Sequence, residues 1–191
     1  MAIKVLNQIV KGVKGGIGGA LKGTADVTSA IVNSVKNVAV TTIKGASDLA
    51  VKGIQVPASI VKGAIDGISD VGVSFIKAIK GVVNGAVQGA MSEGVDQKEA
   101  VTGAVQQAMY SAKELGENVA LVAVESIKGA VSGVKQVGGD TVSATKTAII
   151  AALGAAKDIG GGATDAVKNS LKDSVDGAKK ILDEIKTDKK S

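Results

Sequence analysis

The stretch Ile79–Met91 reads IKGVVNGAVQGAM, and it places glycines at positions 81, 85 and 89 within a segment that has the apolar spacing of a helix. Each interior glycine weakens a helix by about 0.5–1 kcal/mol relative to alanine, so three in succession require a compensating role. Glycines four residues apart form one ridge along a helix, and such ridges allow two helices to approach closely. The stretch therefore predicts helices that pack on one another through glycine.

The apolar content of the chain is made of small and medium-sized side chains. Hydrophobic residues make up 45% of the 191 residues, yet Tyr110 and Phe75 are the only aromatic residues and tryptophan is absent. Burial must therefore come from many small contacts of alanine, valine, isoleucine and leucine. This favours close helix-to-helix packing over a thick globular core.

Several functions are disfavoured by residues that the chain lacks. All 23 basic residues are lysines, and the chain has no histidine and no cysteine. Without arginine forks or aromatic stacking platforms, sequence-specific nucleic-acid binding is not expected. Without histidine or cysteine, the commonest general base, thiol nucleophiles and usual zinc ligands are missing. We therefore expect no enzyme, no metal, no cofactor and no small-molecule substrate.

Apolar residues recur at steps of three and four, which is typical of helices, whereas alternation never lasts more than a few residues. Glycine-rich stretches, Pro57 and candidate caps divide the chain into helical segments, which we place at 2–14, 25–55, 57–92, 96–137, 140–159 and 164–187. The abundance of valine, threonine and glycine favours strands and loops, but the helical spacing outweighs it. The prediction is an all-α fold of several long amphipathic helices in an elongated hairpin or bundle, with glycine-rich breaks between them.

Two of these segments carry heptad stripes. The stripes in 57–92 and 96–137 predict that these two segments pack as antiparallel helices joined near Gly94. They also predict that copies of the chain associate into a homo-oligomer. The residues expected to form helix–helix contacts are Gly81, Gly85, Gly89, Val61, Ile65, Ile68, Phe75, Ile79, Val101, Val105, Leu115 and Val119.

The chain is expected to have three regions. Residues 1–23 form a glycine- and lysine-rich amphipathic segment, 24–159 a repetitive long-helix region with breaks near 57, 94 and 138, and 160–191 an amphipathic helix with a lysine-rich tail. A lysine–glycine phrase recurs within the second region at intervals of 18 residues, beginning at Ile43, Val61 and Ile79. Since 18 residues are five helical turns, the phrase returns to one face.

Positive charge is concentrated in the amino-terminal part. Residues 1–64 contain eight lysines and only two carboxylates, Asp26 and Asp48. Lysines near an anionic membrane contribute roughly 1 kcal/mol each, so these side chains are the candidate lipid-headgroup contacts. No stretch has the length and apolarity of a membrane span or of a secretory signal, so a cytoplasmic, peripherally lipid-associated protein is expected. The lysines are Lys4, Lys11, Lys14, Lys22, Lys36, Lys44, Lys52 and Lys62.

Three phrases resemble a family of lipid-surface proteins: VKGAIDG, IKGAVSGVKQVGGDTVSATKTAI and GGATDAVKNSLKD. They are similar to the 11-residue repeats of the synucleins and of the perilipin lipid-droplet coats, in which lysine, threonine, glycine and valine recur in weakly apolar helices. The period matches over 25–55 and 164–187. The heptads in the middle and the several glycine stops depart from that pattern. The resemblance implies reversible coating of lipid surfaces without catalysis.

The favoured interpretation is a non-enzymatic amphipathic helical protein that binds or coats an anionic membrane or lipid surface, with its lysines at the headgroups and its apolar stripe below them. A self-assembling structural protein that forms a helical oligomer, shell or filament is the first alternative. The second is a membrane-permeabilising protein, because KGVKGGIGGALKG at 11–23 resembles the lysine- and glycine-rich antimicrobial peptides of frog skin.

Overall fold

The computed structural model describes residues 2–20, 27–45, 53 and 55–188. In this part of the chain there are nine α-helices and no strands, so the all-α prediction is confirmed. The helices are α1 (Ala2–Ala20), α2 (Val27–Gly45), α3 (Gln55–Asp70), α4 (Phe75–Ser92), α5 (Gln97–Glu114), α6 (Val119–Gln136), α7 (Thr141–Ile159), α8 (Ala163–Ser174) and α9 (Ala178–Asp188).

Four of the turns between helices share one conformation and recur every 22 residues. Their glycines have a positive φ of 71–84°, a region that side chains disfavour. Each glycine N–H donates to the carbonyl three residues earlier, and the next N–H donates to the carbonyl five residues before it, which together make a Schellman motif. The turn therefore ends one helix and starts the next at a fixed interval. The four glycines are Gly72, Gly94, Gly116 and Gly138.

Side-chain caps follow three of these turns. The Asp96 carboxylate accepts from the N–H groups of Lys98 and Glu99, and Asp140 accepts in the same way from Val142 and Ser143. Asn118 accepts from the N–H of Leu121. Such caps satisfy helix N-terminal donors that have no partner within the helix, and each contributes about 1 kcal/mol.

The prediction of one continuous helical segment over 57–92 and another over 96–137 is wrong. Each segment consists of two helices, because turns at 71–74 and 115–118 interrupt them. The apolar spacing continues in step across both turns, because Gly72 and Leu115 fall at the positions that a heptad stripe would occupy in a single helix. Segment 164–187 is likewise divided, at Gly177, into α8 and α9. The part of segment 25–55 at 46–52 and 54 lies outside the described residues.

The helices form two layers. Within the described part, each helix contacts only the helices one or two places away in the chain. Successive helices run antiparallel, as Gly12 and Gly16 of α1 show by facing Thr42 and Val38 of α2. The odd-numbered helices therefore make one layer of parallel helices and the even-numbered helices the other. An architecture in which each unit contacts only its neighbours is quasi-one-dimensional, like that of repeat proteins.

Glycines allow the closest approaches within each layer. A Cβ atom on Gly85 of α4 would lie 2.6 Å from the carbonyl oxygen of Val32 in α2. Gly67 of α3 would meet the Lys14 carbonyl oxygen of α1 at 2.7 Å. Because these neighbours are backbone atoms, they cannot give way as the tip of a flexible side chain could. The glycines that face the backbone two helices earlier are Gly63, Gly67, Gly81, Gly85, Gly89, Gly129 and Gly133.

Polar side chains also join α4 to α6. The Asn84 Nδ2 donates to Ser132 Oγ at 3.2 Å, and Gln88 Nε2 donates to Asn84 Oδ1 at 2.7 Å and to Gln136 Oε1. Asn84 and Gln88 are buried, so leaving either amide without a partner would carry a desolvation penalty. The pairs across the two helices are 48 residues apart, which fixes the register of α4 against α6.

Replacing a turn glycine should destabilise the fold. Gly116 has a φ of 71°, so Gly116→Ala should lower the free energy of unfolding by about 1–2 kcal/mol. In Gly15→Ala, the new methyl group meets no atom within 4 Å and the residue lies within α1, so stability should be unchanged or higher. Urea unfolding followed by circular dichroism measures both variants. Equal stabilities would contradict the assigned turn.

Substitutions at two helical glycines should have opposite effects. Gly85→Ala forces a methyl group against the α2 backbone and should destabilise by about 1–3 kcal/mol. Gly154→Ala in α7 is the matched control, because its Cβ would have as nearest neighbour the Gln106 Nε2 at 3.8 Å, an ordinary contact. Its higher helix propensity should stabilise by about 0.5–1 kcal/mol. The two thermal midpoints provide the measurement, and a stabilising Gly85→Ala would refute the close approach.

Candidate functional site

Charged and apolar surfaces are the candidate functional features of the residues that the structure describes. Among the described residues, no group of three or more Asp, Glu, His or Cys side chains is placed to hold a metal ion. Over the same residues, none of the helices combines the length and apolarity needed to cross a membrane.

The lysines predicted to meet lipid headgroups are distributed over both layers. Lys11, Lys14 and Lys62 lie on α1 and α3 of the odd layer, whereas Lys36 and Lys44 lie on α2 of the even layer. The structure therefore does not bring this set onto one face. Lys22 and Lys52 lie outside the described residues, and so does the side chain of Lys4.

Three of these lysines form ion pairs within a layer. Lys14 pairs with Asp70 at 3.1 Å, which links α1 to α3. Lys44 pairs with Glu93 at 3.6 Å at the end of α4, and Lys62 pairs with Glu114 of α5 at 3.8 Å. The pairs of Lys14 and Lys62 are exposed and contribute about 0–1 kcal/mol each, so these two lysines remain available to an anionic partner at little cost.

The predicted helix–helix contacts lie mostly inside the structure. Phe75 and Ile79 of α4 are buried, while Val119 at the start of α6 is half-buried. Leu115 is 52% exposed because α5 ends just before it, so it is not a packing residue. Gly81, Gly85 and Gly89 of α4 pack against α2. The other buried members of the predicted set are Val61, Ile65, Ile68, Val101 and Val105.

Charge differs between the two layers along the middle of the array. The helices α2, α4 and α6 carry six lysines and a single carboxylate, Glu125. The helices α3, α5 and α7 carry five lysines and five carboxylates. We call α2, α4 and α6 the basic layer. Outside these six helices, α1 adds three lysines to the odd layer, and Lys14 is already paired with Asp70. The lysines of the basic layer are Lys36, Lys44, Lys77, Lys80, Lys128 and Lys135.

The lysines of α4 and α6 are brought together by the glycine contact between these helices. Gly129 packs on the backbone of Lys80, and this brings the backbone of Lys80 close to Lys128, the residue that precedes Gly129. Lys128 pairs with Glu125 in its own helix at 3.3 Å. Among the described residues, no ion pair involves Lys77, Lys80 or Lys135, and all three are exposed. Sequence reasoning missed this cluster, because its members come from helices that are not consecutive in the chain.

An exposed apolar side chain accompanies these lysines. Leu121 is 43% exposed, and it precedes Glu125 and Lys128 by four and seven residues. Residues at these intervals share one face of a helix. The lysine-bearing face of α6 therefore also presents an apolar residue.

The odd layer has a different polar contact between its helices. The Tyr110 hydroxyl of α5 donates to Asp158 Oδ2 of α7 at 2.8 Å. Burial raises the pKa of Tyr110, and the hydrogen bond to Asp158 and the charge of that carboxylate raise the pKa further. Each effect favours the neutral phenol.

Comparisons with family models, with curated proteins and with solved structures find no match to this chain. Any functional conclusion must therefore come from the residues and their arrangement.

Titration of Tyr110 tests the contact between α5 and α7. It is the only tyrosine and the chain has no tryptophan, so ultraviolet absorbance follows this one group. Its pKa should lie above the ordinary value near 10. Asp158→Asn should lower the pKa towards that value, because the carboxylate charge is removed. The stability that this proton contributes is present below pH 10 and should be lost as the pH rises through the raised pKa. An unchanged pKa in Asp158→Asn would contradict the contact.

Proposed function

We propose that this is a non-enzymatic helical-repeat protein that binds an anionic lipid surface through the basic layer. The observation that carries the proposal is the segregation of charge, with six lysines and one carboxylate on α2, α4 and α6 against a balanced set on α3, α5 and α7. A face of this kind attracts an anionic surface more strongly than the balanced set on α3, α5 and α7 does.

The chemistry of the face favours lipid over nucleic acid. Lysine is a compact point charge without the planar fork that recognises base edges and grips phosphates in pairs. Each lysine near an anionic membrane contributes roughly 1 kcal/mol, and this attraction falls off within a Debye length of about 8 Å at physiological salt. Leu121 adds an apolar group that can enter the boundary between headgroups and acyl chains.

The proposed binding mode differs from that of a peptide that becomes helical on lipid. In α2, Ile31 and Val35 are fully buried against neighbouring helices, so this apolar stripe is not free to enter a bilayer. The lysines instead lie on the surface of a folded array. Binding should then depend on charge and salt, with little change in helicity.

Vesicle binding tests the proposal with two charge-matched triple variants. Lys77→Gln, Lys80→Gln and Lys135→Gln together remove three lysines of the basic layer, and should weaken binding to phosphatidylserine-containing vesicles about 100-fold. Lys62→Gln, Lys98→Gln and Lys113→Gln remove three lysines of the odd layer, and should weaken it much less. Co-sedimentation at low and high salt, with neutral phosphatidylcholine vesicles as the reference, gives the affinities.

Equal losses in the two triple variants, or equal binding to neutral vesicles, would overturn the proposal. Large particles in lipid-free buffer would instead favour the self-assembling structural protein. Release of a trapped dye from the vesicles would distinguish permeabilisation from surface binding.

A further inference from the structure

A cavity of about 330 Å³ lies between α7, α8 and α9. Its apolar wall is formed by Ile150 and Leu153 of α7 and by Leu182 and Ile185 of α9. Ile150 is 49% exposed, although it is a large apolar residue in the middle of a helix that packs on α5. The volume falls at the lower end of the range of about 300–1,000 Å³ that is typical of small-molecule sites.

The cavity exists because α9 packs less closely on α7 than the earlier helices of the odd layer pack on one another. Glycines of α3 pack on the backbone of α1, but α9 contains no glycine and presents Leu182 and Ile185. An ion pair between Lys146 and Glu184, at 3.6 Å, joins α7 to α9. A space therefore remains beside the middle of α7.

Gly154 borders this space and a second one. It lines the cavity and also a neighbouring groove of about 630 Å³ between α5 and α7, and Ile150 lines both as well. A glycine in the middle of a helix weakens the helix, and here no close backbone contact requires it, since the nearest atom to an added Cβ would be 3.8 Å away. The absence of a side chain at 154 instead leaves room beside α7 in both spaces.

Three lysines surround the apolar wall. Lys157 belongs to α7, and Lys168 and Lys172 belong to α8. Lys168 is 3.9 Å from the exposed Asp165, and among the described residues no ion pair involves Lys157 or Lys172. An apolar wall edged by cations is complementary to a molecule with an apolar chain and an anionic end.

We propose that the cavity binds a single-chain anionic amphiphile, such as a fatty carboxylate. Its chain lies along Ile150, Leu153 and Leu182 and passes over Gly154, and its carboxylate lies among Lys157, Lys168 and Lys172. The site is independent of the basic layer, since none of its lysines belongs to α2, α4 or α6. Either proposal can therefore fail without the other.

Calorimetric titration of the full chain tests this site, with laurate below its micelle concentration as the probe and uncharged monolaurin as the reference. One laurate should bind per chain, more tightly than monolaurin. Lys157→Gln, Lys168→Gln and Lys172→Gln together should weaken laurate binding about tenfold and leave monolaurin binding unchanged. Gly154→Leu should weaken binding of both, because its side chain would occupy part of the cavity that Gly154 lines.

The triple variant of the basic layer, Lys77→Gln, Lys80→Gln and Lys135→Gln, is the charge-matched control and should bind laurate as the wild type does. Lys157, Lys168 and Lys172 are at the surface, so their triple variant should retain the fold and keeps the test decisive if Gly154→Leu does not fold. Absence of laurate binding by the wild type, or equal losses in the two lysine triples, would overturn the proposal.

Discussion

The contact between a glycine of one helix and the backbone of the helix two places earlier is the interaction on which the structure depends. With one phenylalanine, one tyrosine and no tryptophan, the chain cannot build a core from large side chains. Dispersion between small groups is weak for each atom pair and increases only when many atoms come close. Glycine ridges bring whole stretches of backbone together, as Gly85 does against Val32. The helix propensity lost at each glycine is offset by this packing.

The regular turns convert that contact into two chemically different layers. Because Gly94, Gly116 and Gly138 end successive helices at intervals of 22 residues, alternate helices run parallel and lie side by side. Lysines that are far apart in the sequence, such as Lys80 and Lys128, become neighbours. The proposed lipid-binding face is thus a consequence of helix alternation, and no single segment of the chain contains it.

The all-helical fold could be predicted from the sequence, because apolar spacing of three and four residues persists over most of the chain. The turns at Gly72 and Gly116 could not be found that way, since the stripe continues in step through both. A recurrence of glycine every 22 residues, with Ser74, Asp96, Asn118 or Asp140 two positions later, was the available signal. The lysine–glycine phrase that recurs every 18 residues indicates a shared helix face and does not mark where a helix ends. The sequence does not show how many helices there are, so it cannot assign each lysine to a layer. The lysines predicted to contact lipid headgroups therefore lie on both layers.

In the even layer, glycine occupies the ridge positions of α4 and α6 that face another helix, and asparagine occupies the corresponding positions of α2. In α4, the ridge residue Gly85 directly follows Asn84, whose carbonyl faces Gly133 of α6. In α2, the carbonyl groups of Val32 and Lys36 face the glycines of α4. The residues that follow them, Asn33 and Asn37, therefore occupy the positions that match Gly85 in α4. Both asparagines are exposed, and among the described helices no even-numbered helix packs on that side. Repeat arrays require a polar outer face at a terminal unit, and these asparagines supply one for the even layer. The ridge glycines of α4 and α6 therefore follow from the neighbouring helix that each must accommodate.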